Sequence, residues 1–153
     1  LKAEANAFLG SKGEYVGAMA MDGKEETSWQ FSTKNAELGK VYLDIWVPEG
    51  SIVDELWFKN GFWKINKKYD QYTRNCRPKK IGISFCYDGE NSFRDETEIL
   101  LRDDSVRKDW QGVSLGRHEH VKAIRLRVIS IYQGSYFKTD VAISELMVVY
   151  REN

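Results

Sequence analysis

The chain is poor in the residues that most restrict chemistry. It has two Cys, two His and two Pro in 153 residues. Cys76 and Cys86 lie ten positions apart along a stretch that alternates like a strand. Extended backbone of that length would hold them roughly 30 Å apart, far beyond disulfide reach, so both thiols are expected to be free. Their absence from a disulfide suits a cytosolic protein and many Gram-positive surface proteins alike. The two His fall in Arg117-His118-Glu119-His120. At spacing two they could share a metal from one strand face, or simply belong to a polar loop between two strands. No Gly-x-Ser-x-Gly, Cys-x-x-Cys, Gly-x-Gly-x-x-Gly or phosphate-binding loop occurs. Asp103-Asp104 beside Arg102 reads as a solvated turn rather than a hydrolytic carboxylate pair. With no nucleophile motif, no acid, base and oxyanion site can be assembled, and the chain is not expected to be an enzyme.

Charge of either sign in excess is also lacking. Lys plus Arg total 23 and Asp plus Glu total 23, which argues against a general nucleic-acid binder. Mean hydropathy is −0.53, and no apolar run is long enough to span a bilayer. No basic-apolar-small leader opens the chain, and it starts at Leu1 rather than Met. A piece of a larger protein is therefore expected, with one domain over residues 1–153. Few Pro, no repeat and no low-complexity tract suit a compact unit.

Aromatic residues, by contrast, are plentiful: five Trp, eight Tyr and seven Phe. Period-two alternation dominates the chain. Val41 to Val47 reads as a strand ended by Pro48-Glu49-Gly50. Ile52 to Lys59, Arg77 to Tyr87, Glu98 to Leu101, Gln111 to Leu115, Val121 to Ile131 and Ala142 to Tyr150 follow. The first twenty residues read as a short helix or irregular turn. No amphipathic helix of ten residues appears, so the fold class is all-β, an antiparallel β-sandwich or barrel. Trp29, Trp46, Phe85 and Trp110 are expected in the core, with one of Trp57 and Phe58.

The loop from Asn60 to Asn75 is long and polar, yet keeps Phe62, Trp63, Tyr69 and Tyr72. Long loops in compact domains usually carry function. Rings beside Asn, Arg and Lys donors suit a sugar, whose C–H face lies on a ring while planar side chains bond its hydroxyls. Tyr132 to Asp140 joins the last two strands and could converge on it. Charge is segregated locally. Lys59 to Lys80 carries eight basic residues and one acid, and Asp88 to Asp104 seven acids and two bases. These could be compensating faces of neighbouring hairpins or a partner surface.

Three stretches resemble the discoidin-like (galactose-binding-like) jelly roll: Ala20 to Trp29, Trp57 to Gly61 with Asn75 to Ile81, and Ile129 to Ser135 with Thr139 to Leu146. The last two are similar to the glycan-binding module fused to bacterial NAD-glycohydrolase toxins and found in other bacterial surface proteins. No residues of a glycohydrolase domain accompany it. The resemblance spans Met19 to Tyr150. It implies a monomeric, non-catalytic carbohydrate-binding module of a secreted or cell-surface bacterial protein, which targets the other domains of its parent chain to glycans. The expected sugar contacts are Asn60, Trp63, Tyr69, Arg74, Asn75, Tyr132, Gln133 and Tyr136. The resemblance further implies a structural calcium, held by the carboxylates of Asp22 and Glu145, by the hydroxyl and carbonyl of Thr27, and by backbone carbonyls of Met19, Lys24 and Ser144. Calcium favours such mixed hard oxygens. The alternative is a plain Asp22-Gly23 turn with Glu145 paired to a base. Two other functions fit the same fold. One is a protein-interaction or adhesion domain using the segregated charge. The other is a binder of an anionic ligand, such as an acidic glycan or phospholipid headgroup, through Lys67, Lys68 and Arg74.

Overall fold

The computed structural model describes residues 1–65, 68–103 and 109–152. Lys67 and Asp104, named above, lie outside them. Seven strands run in chain order: β1 (Lys2–Ala5), β2 (Trp29–Ser32), β3 (Val41–Asn60), β4 (Asn75–Tyr87), β5 (Arg94–Leu100), β6 (Gln111–Tyr132) and β7 (Phe137–Arg151). A 3₁₀ turn, Gly17–Met21, and one α-helical turn, α1 (Gln71–Arg74), complete the described elements. Among the described residues no helix is long and apolar enough to cross a membrane.

Two strands make the sandwich. β3 and β6 are antiparallel partners along most of their length, from Val41↔Val128 to Phe58↔Gln111. Their outer halves pair with β1 and β4; β4 also carries β5. The other half of β3 pairs with β7, which carries β2. Each long strand therefore bends from one layer into the other, and the apolar core fills the space between them.

The bend corrects two expected boundaries. Pro48-Glu49-Gly50 does not end a strand; β3 passes through it with register shifts between Trp46 and Val53. Val41, Leu43, Ile45 and Val47 point inward before the corner, and Leu56 and Phe58 after it. The inward phase has moved from odd to even positions. A slipped residue does this, and Gly50, at φ 86°, supplies the left-handed backbone. Likewise Arg117 to His120 is a corner within β6, not a loop between strands, and His120 has φ 58°. The two His do not converge on a metal. The His118 ring stacks on Phe85 at 3.7 Å, and its nitrogens contact the Tyr87 hydroxyl at 2.9 Å and the Leu115 carbonyl at 3.0 Å. His120 is exposed.

Trp29, Phe58 and Phe85 are buried, as their strand phase requires. Trp46 and Trp110 are not core residues. Both are half-buried on outward positions, with Lys2 over Trp46 at 5.0 Å and Lys59 over Trp110 at 4.9 Å. Cys76 and Cys86 are free and buried, both on β4.

Candidate functional site

Two loops meet at one end of the sandwich. The first contains α1. Asp70 caps it, accepting the Tyr72 N–H at 3.1 Å, and Tyr72 packs into the protein with 1% of its surface exposed. The second, residues 133–137, docks on α1 by backbone: the Ser135 N–H donates to the Thr73 carbonyl at 3.0 Å and the Tyr136 N–H to the Arg74 carbonyl at 3.2 Å. Gly134 allows that approach, since a Cβ there would lie 2.5 Å from the Arg74 carbonyl oxygen. No side chain fits that gap.

This docking gathers rings around Arg74. Its guanidinium carbon stands 4.0 Å from the Tyr69 ring centre, 4.1 Å from Tyr136 and 5.4 Å from Phe137. Tyr136 and Phe137 meet edge to face at 4.9 Å. Large rings are usually covered, yet Tyr136 is 65% exposed and Tyr69 47%. Cation–π contact orients the guanidinium, and no carboxylate among the described residues pairs with it. Phe137 also borders a hollow of about 250 Å³, lined among others by Tyr15, Gln30, Lys64, Gln71 and Asp140. Burial raises the Asp140 carboxyl above its usual range. The hollow and the ring cluster form one polar surface with aromatic walls.

Of the expected sugar contacts, Tyr69, Arg74 and Tyr136 come together, and Gln133 is exposed on the adjoining loop, its amide donating to the Lys138 carbonyl at 2.6 Å. The other four do not join that ring cluster, though Asn75 lines the hollow beside it. Asn60 is 1% exposed and donates to the Pro78 carbonyl at 2.8 Å; its Oδ1 has no partner among the described residues. Asn75 is 3% exposed, and its amide closes the end of α1 on the Gln71 carbonyl at 3.0 Å. The Tyr132 hydroxyl donates to the Leu101 carbonyl at 2.8 Å. Trp63 follows the end of β3: its backbone N–H donates to Ser144 Oγ at 2.9 Å, its indole N–H donates to the Asn60 carbonyl at 2.7 Å, and its ring flanks Lys59 at 5.0 Å. Phe137, Lys64 and Gln71 were not anticipated. Phe137 follows Tyr136 directly and was legible as a ring pair; the hollow's walls come from distant segments and had no local signal.

The loop expected to hold a metal is compact. Glu145, on β7 and 6% exposed, accepts the Gly23 N–H at 3.3 Å and the Lys24 N–H at 3.0 Å. Asp22 accepts the Lys24 N–H at 2.9 Å, and the Thr27 hydroxyl approaches both Asp22 Oδ2 and the Lys24 carbonyl. One hydroxyl proton cannot serve both oxygens. Burial, then the hydrogen bond and charge of Asp22, push the Glu145 carboxyl up to about 8. At Asp22 burial acts upward too, but the Thr27 and Glu145 hydrogen bonds outweigh it and hold the carboxyl low. Two facing carboxylates, a hydroxyl and a backbone carbonyl crowded together are an oxygen donor set that fits a hard cation. Met19 lies within the 3₁₀ turn that precedes this loop, and Ser144 is buried beside Glu145.

Ion pairs bridge the two segments of segregated charge. Arg77 pairs with Asp103 at 3.0 Å and Lys80 with Glu98 at 3.8 Å, joining the basic and acidic segments.

No protein-family model matches the sequence, and no curated protein matches it significantly. Solved structures do. The F5/8 type C domain of a Bacteroides fragilis protein superposes with a TM-score of 0.72 at 13% identity, covering 99% of this chain and 91% of that one. The fold is discoidin-like. Two Clostridium perfringens modules share it. The family 32 carbohydrate-binding module of NanJ, solved with galactose, gives 0.68 at 16% identity over 98% of this chain and 93% of its own. A family 32 module of CpGH89, solved with GalNAc-β-1,3-galactose, gives 0.67 at 19% over 96% and 93%. On this discoidin-like frame, the Arg74 cluster occupies loops at one end of the sandwich, and the Asp22–Glu145 loop lies against β7.

Proposed function

We propose that this chain is a non-catalytic carbohydrate-binding module whose glycan site is the Arg74, Tyr69 and Tyr136 cluster with the hollow beside Phe137. The observation that carries it is the guanidinium held 4.0 and 4.1 Å from two exposed rings. A ring face offers the apolar surface for a pyranose, and the fixed guanidinium offers N–H donors for its oxygens. Gln133 and Gln71 stand close enough along the same loops to add donors. The likeness to modules solved with galactose-containing sugars supports the ligand class. In a parent chain of the secreted or cell-surface kind, such a module would raise the local concentration of an attached enzyme or adhesin.

Calorimetric titration against a glycan panel tests this. Arg74→Ala and Tyr136→Ala should each weaken binding about tenfold, since a stacked ring or a hydrogen bond from a charged donor is worth on the order of 1.5 kcal/mol. Trp63→Ala should leave it unchanged. Unaltered affinity in both site variants would refute the reading. A second reading is favoured by an Arg74 guanidinium that no carboxylate among the described residues pairs with and by Lys64 on the hollow's rim: an acidic sugar, its carboxylate on the guanidinium. Galacturonic acid binding more tightly than galactose, with an affinity that falls as salt rises, would select it.

The proposal includes a structural calcium. Asp22 and Glu145 would supply carboxylate oxygens, Thr27 its hydroxyl, and Met19, Lys24 and Ser144 carbonyls. The ion would neutralise the two facing carboxylates and so brace the loop against β7. Chelator should lower the melting temperature, and added calcium restore it; an unchanged melting temperature would remove the ion from the proposal.

A further inference from the structure

A large indole lies on the outside of the sandwich, away from both loops. Trp57 and Glu55 occupy outward positions of β3. Gly112 and Ser114 stand opposite them on β6, and Met147 and Val149 on β7. Gly112 has no left-handed backbone to require it. Its role is space. A Cβ at Gly112 would lie 2.7, 2.8 and 2.9 Å from Cζ2, Cη2 and Cε2 of Trp57. Near-equal distances to three successive ring atoms arise over a ring's face, not at its edge. The indole therefore lies flat on the β6 backbone, with its other face turned outward. The Trp57 N–H donates to Glu55 Oε2 at 3.0 Å and fixes the ring's orientation. Glu55, Trp57, Gly112, Val113 and Ser114 line a groove of about 270 Å³.

The same face continues along the strand. Two residues on, about 7 Å by strand rise, the Lys59 ammonium sits 5.0 Å from the Trp63 ring and 4.9 Å from Trp110. Trp63 and Trp110, which the ring cluster and the core do not use, thus extend a row that starts at Trp57.

We propose that this sheet face is a second carbohydrate site, which takes a neutral oligosaccharide with a pyranose lying face-down on Trp57. The flat, pre-oriented ring offers the stacking surface. The Glu55 carboxylate accepts sugar hydroxyls strongly as a charged acceptor, and Ser114 adds a hydroxyl at the rim. Glu55 also selects against an acidic sugar by like charge. The row of rings beyond one groove suits a chain rather than a single sugar. The Trp57 groove shares no lining residue with the hollow beside Phe137, so either can fail alone.

The test is titration of the ¹⁵N-labelled full chain, following the Trp57 indole N–H by NMR. The probes are cellotetraose, β-1,4-galactotetraose and tetragalacturonate. At least one neutral tetraose should shift that resonance saturably, and should do so equally in Arg74→Ala. Trp57→Ala should weaken the same tetraose about tenfold, read from the remaining shifted resonances. Gly112→Val, which keeps the indole but lifts it off the strand, should weaken it similarly. Glu55→Gln should admit tetragalacturonate, which the unaltered chain should not bind at this face. The proposal is overturned if neither neutral tetraose moves the Trp57 resonance at about 10 mM, a concentration that would reveal even millimolar binding. It is also overturned if Trp57→Ala binds as tightly as the unaltered chain, or if the resonance moves with protein concentration alone, which would make the face a contact between copies.

Discussion

Replacing Arg77 by Ala should be among the costliest single changes near the glycan site. Its side chain is 7% exposed and forms a two-pronged pair with Asp103, at 3.0 Å from Nε and 3.0 Å from Nη2. Nη1 donates to the Tyr72 and Asn75 carbonyls at 3.1 and 3.0 Å. One guanidinium thus ties both ends of α1 to the segment after β5. Without it, Asp103 keeps among the described residues only the Tyr72 hydroxyl, at 2.9 Å, and two carbonyls lose a donor. Removing one partner of a buried pair costs about 3–5 kcal/mol. The Asp103 side chain is 30% exposed, so water recovers part of that loss, and about 3 kcal/mol is the better figure. For a domain of this size that lowers the melting temperature by roughly 6–12 °C. Asp103→Asn, which keeps an acceptor oxygen, should cost about 1–2 kcal/mol. The double variant should cost less than the sum. Thermal and urea denaturation read all three. A drop below about 2 °C in Arg77→Ala, or strict additivity in the double variant, would refute the account.

Acid should act on the same pair. The Arg77 hydrogen bonds hold the Asp103 carboxyl below its ordinary range, against the upward effect of burial. Its contribution is therefore present above about pH 4 and is lost as pH falls through the lowered folded value; a melting-temperature profile of Asp103→Asn should be flatter there. Gly134→Ala should cost about 2 kcal/mol or more by forcing a methyl against main chain, and should weaken glycan binding by separating Tyr136 from Arg74. A calcium supply at about a hundred times its dissociation constant should stabilise by about 2.7 kcal/mol, read as a melting-temperature rise that Asp22→Asn diminishes.

The sequence made the strands and their class legible because alternation is a local signal, and it stayed true on either side of each corner. The corners themselves misled. Pro48 and Gly50 are ordinary turn residues, and only pairing with β6 and β7 shows that β3 continues beyond them. Trp46 and Trp110 misled because a Trp beside apolar alternation looks like core: Trp46 falls on the outward phase of β3, and Trp110 precedes β6 and is half-buried. At the site, Tyr69, Arg74 and Tyr136 were legible as rings and a base in polar loops. Asn60 and Asn75 have the same residue chemistry as a sugar ligand, but their amides serve buried carbonyls. Trp63 was unreadable because its backbone is held by Ser144, 81 positions away, and its indole by the Asn60 carbonyl.

The order of synthesis gives β7 a particular burden. Trp29 pairs with Ile143, and Gly23 reaches Glu145 across 122 positions. The ring cluster needs Tyr136 and Phe137, at the start of the same strand. Contacts of such separation close late and slowly. On a ribosome, both the Arg74 cluster and the Asp22 loop would wait, open and incomplete, for the final strand. Until it arrives, the outer edge of β3 that β7 later covers offers a row of unpaired peptide groups and the apolar residues Leu56 and Phe58. The nascent chain is then most exposed to mispairing and to chaperone capture.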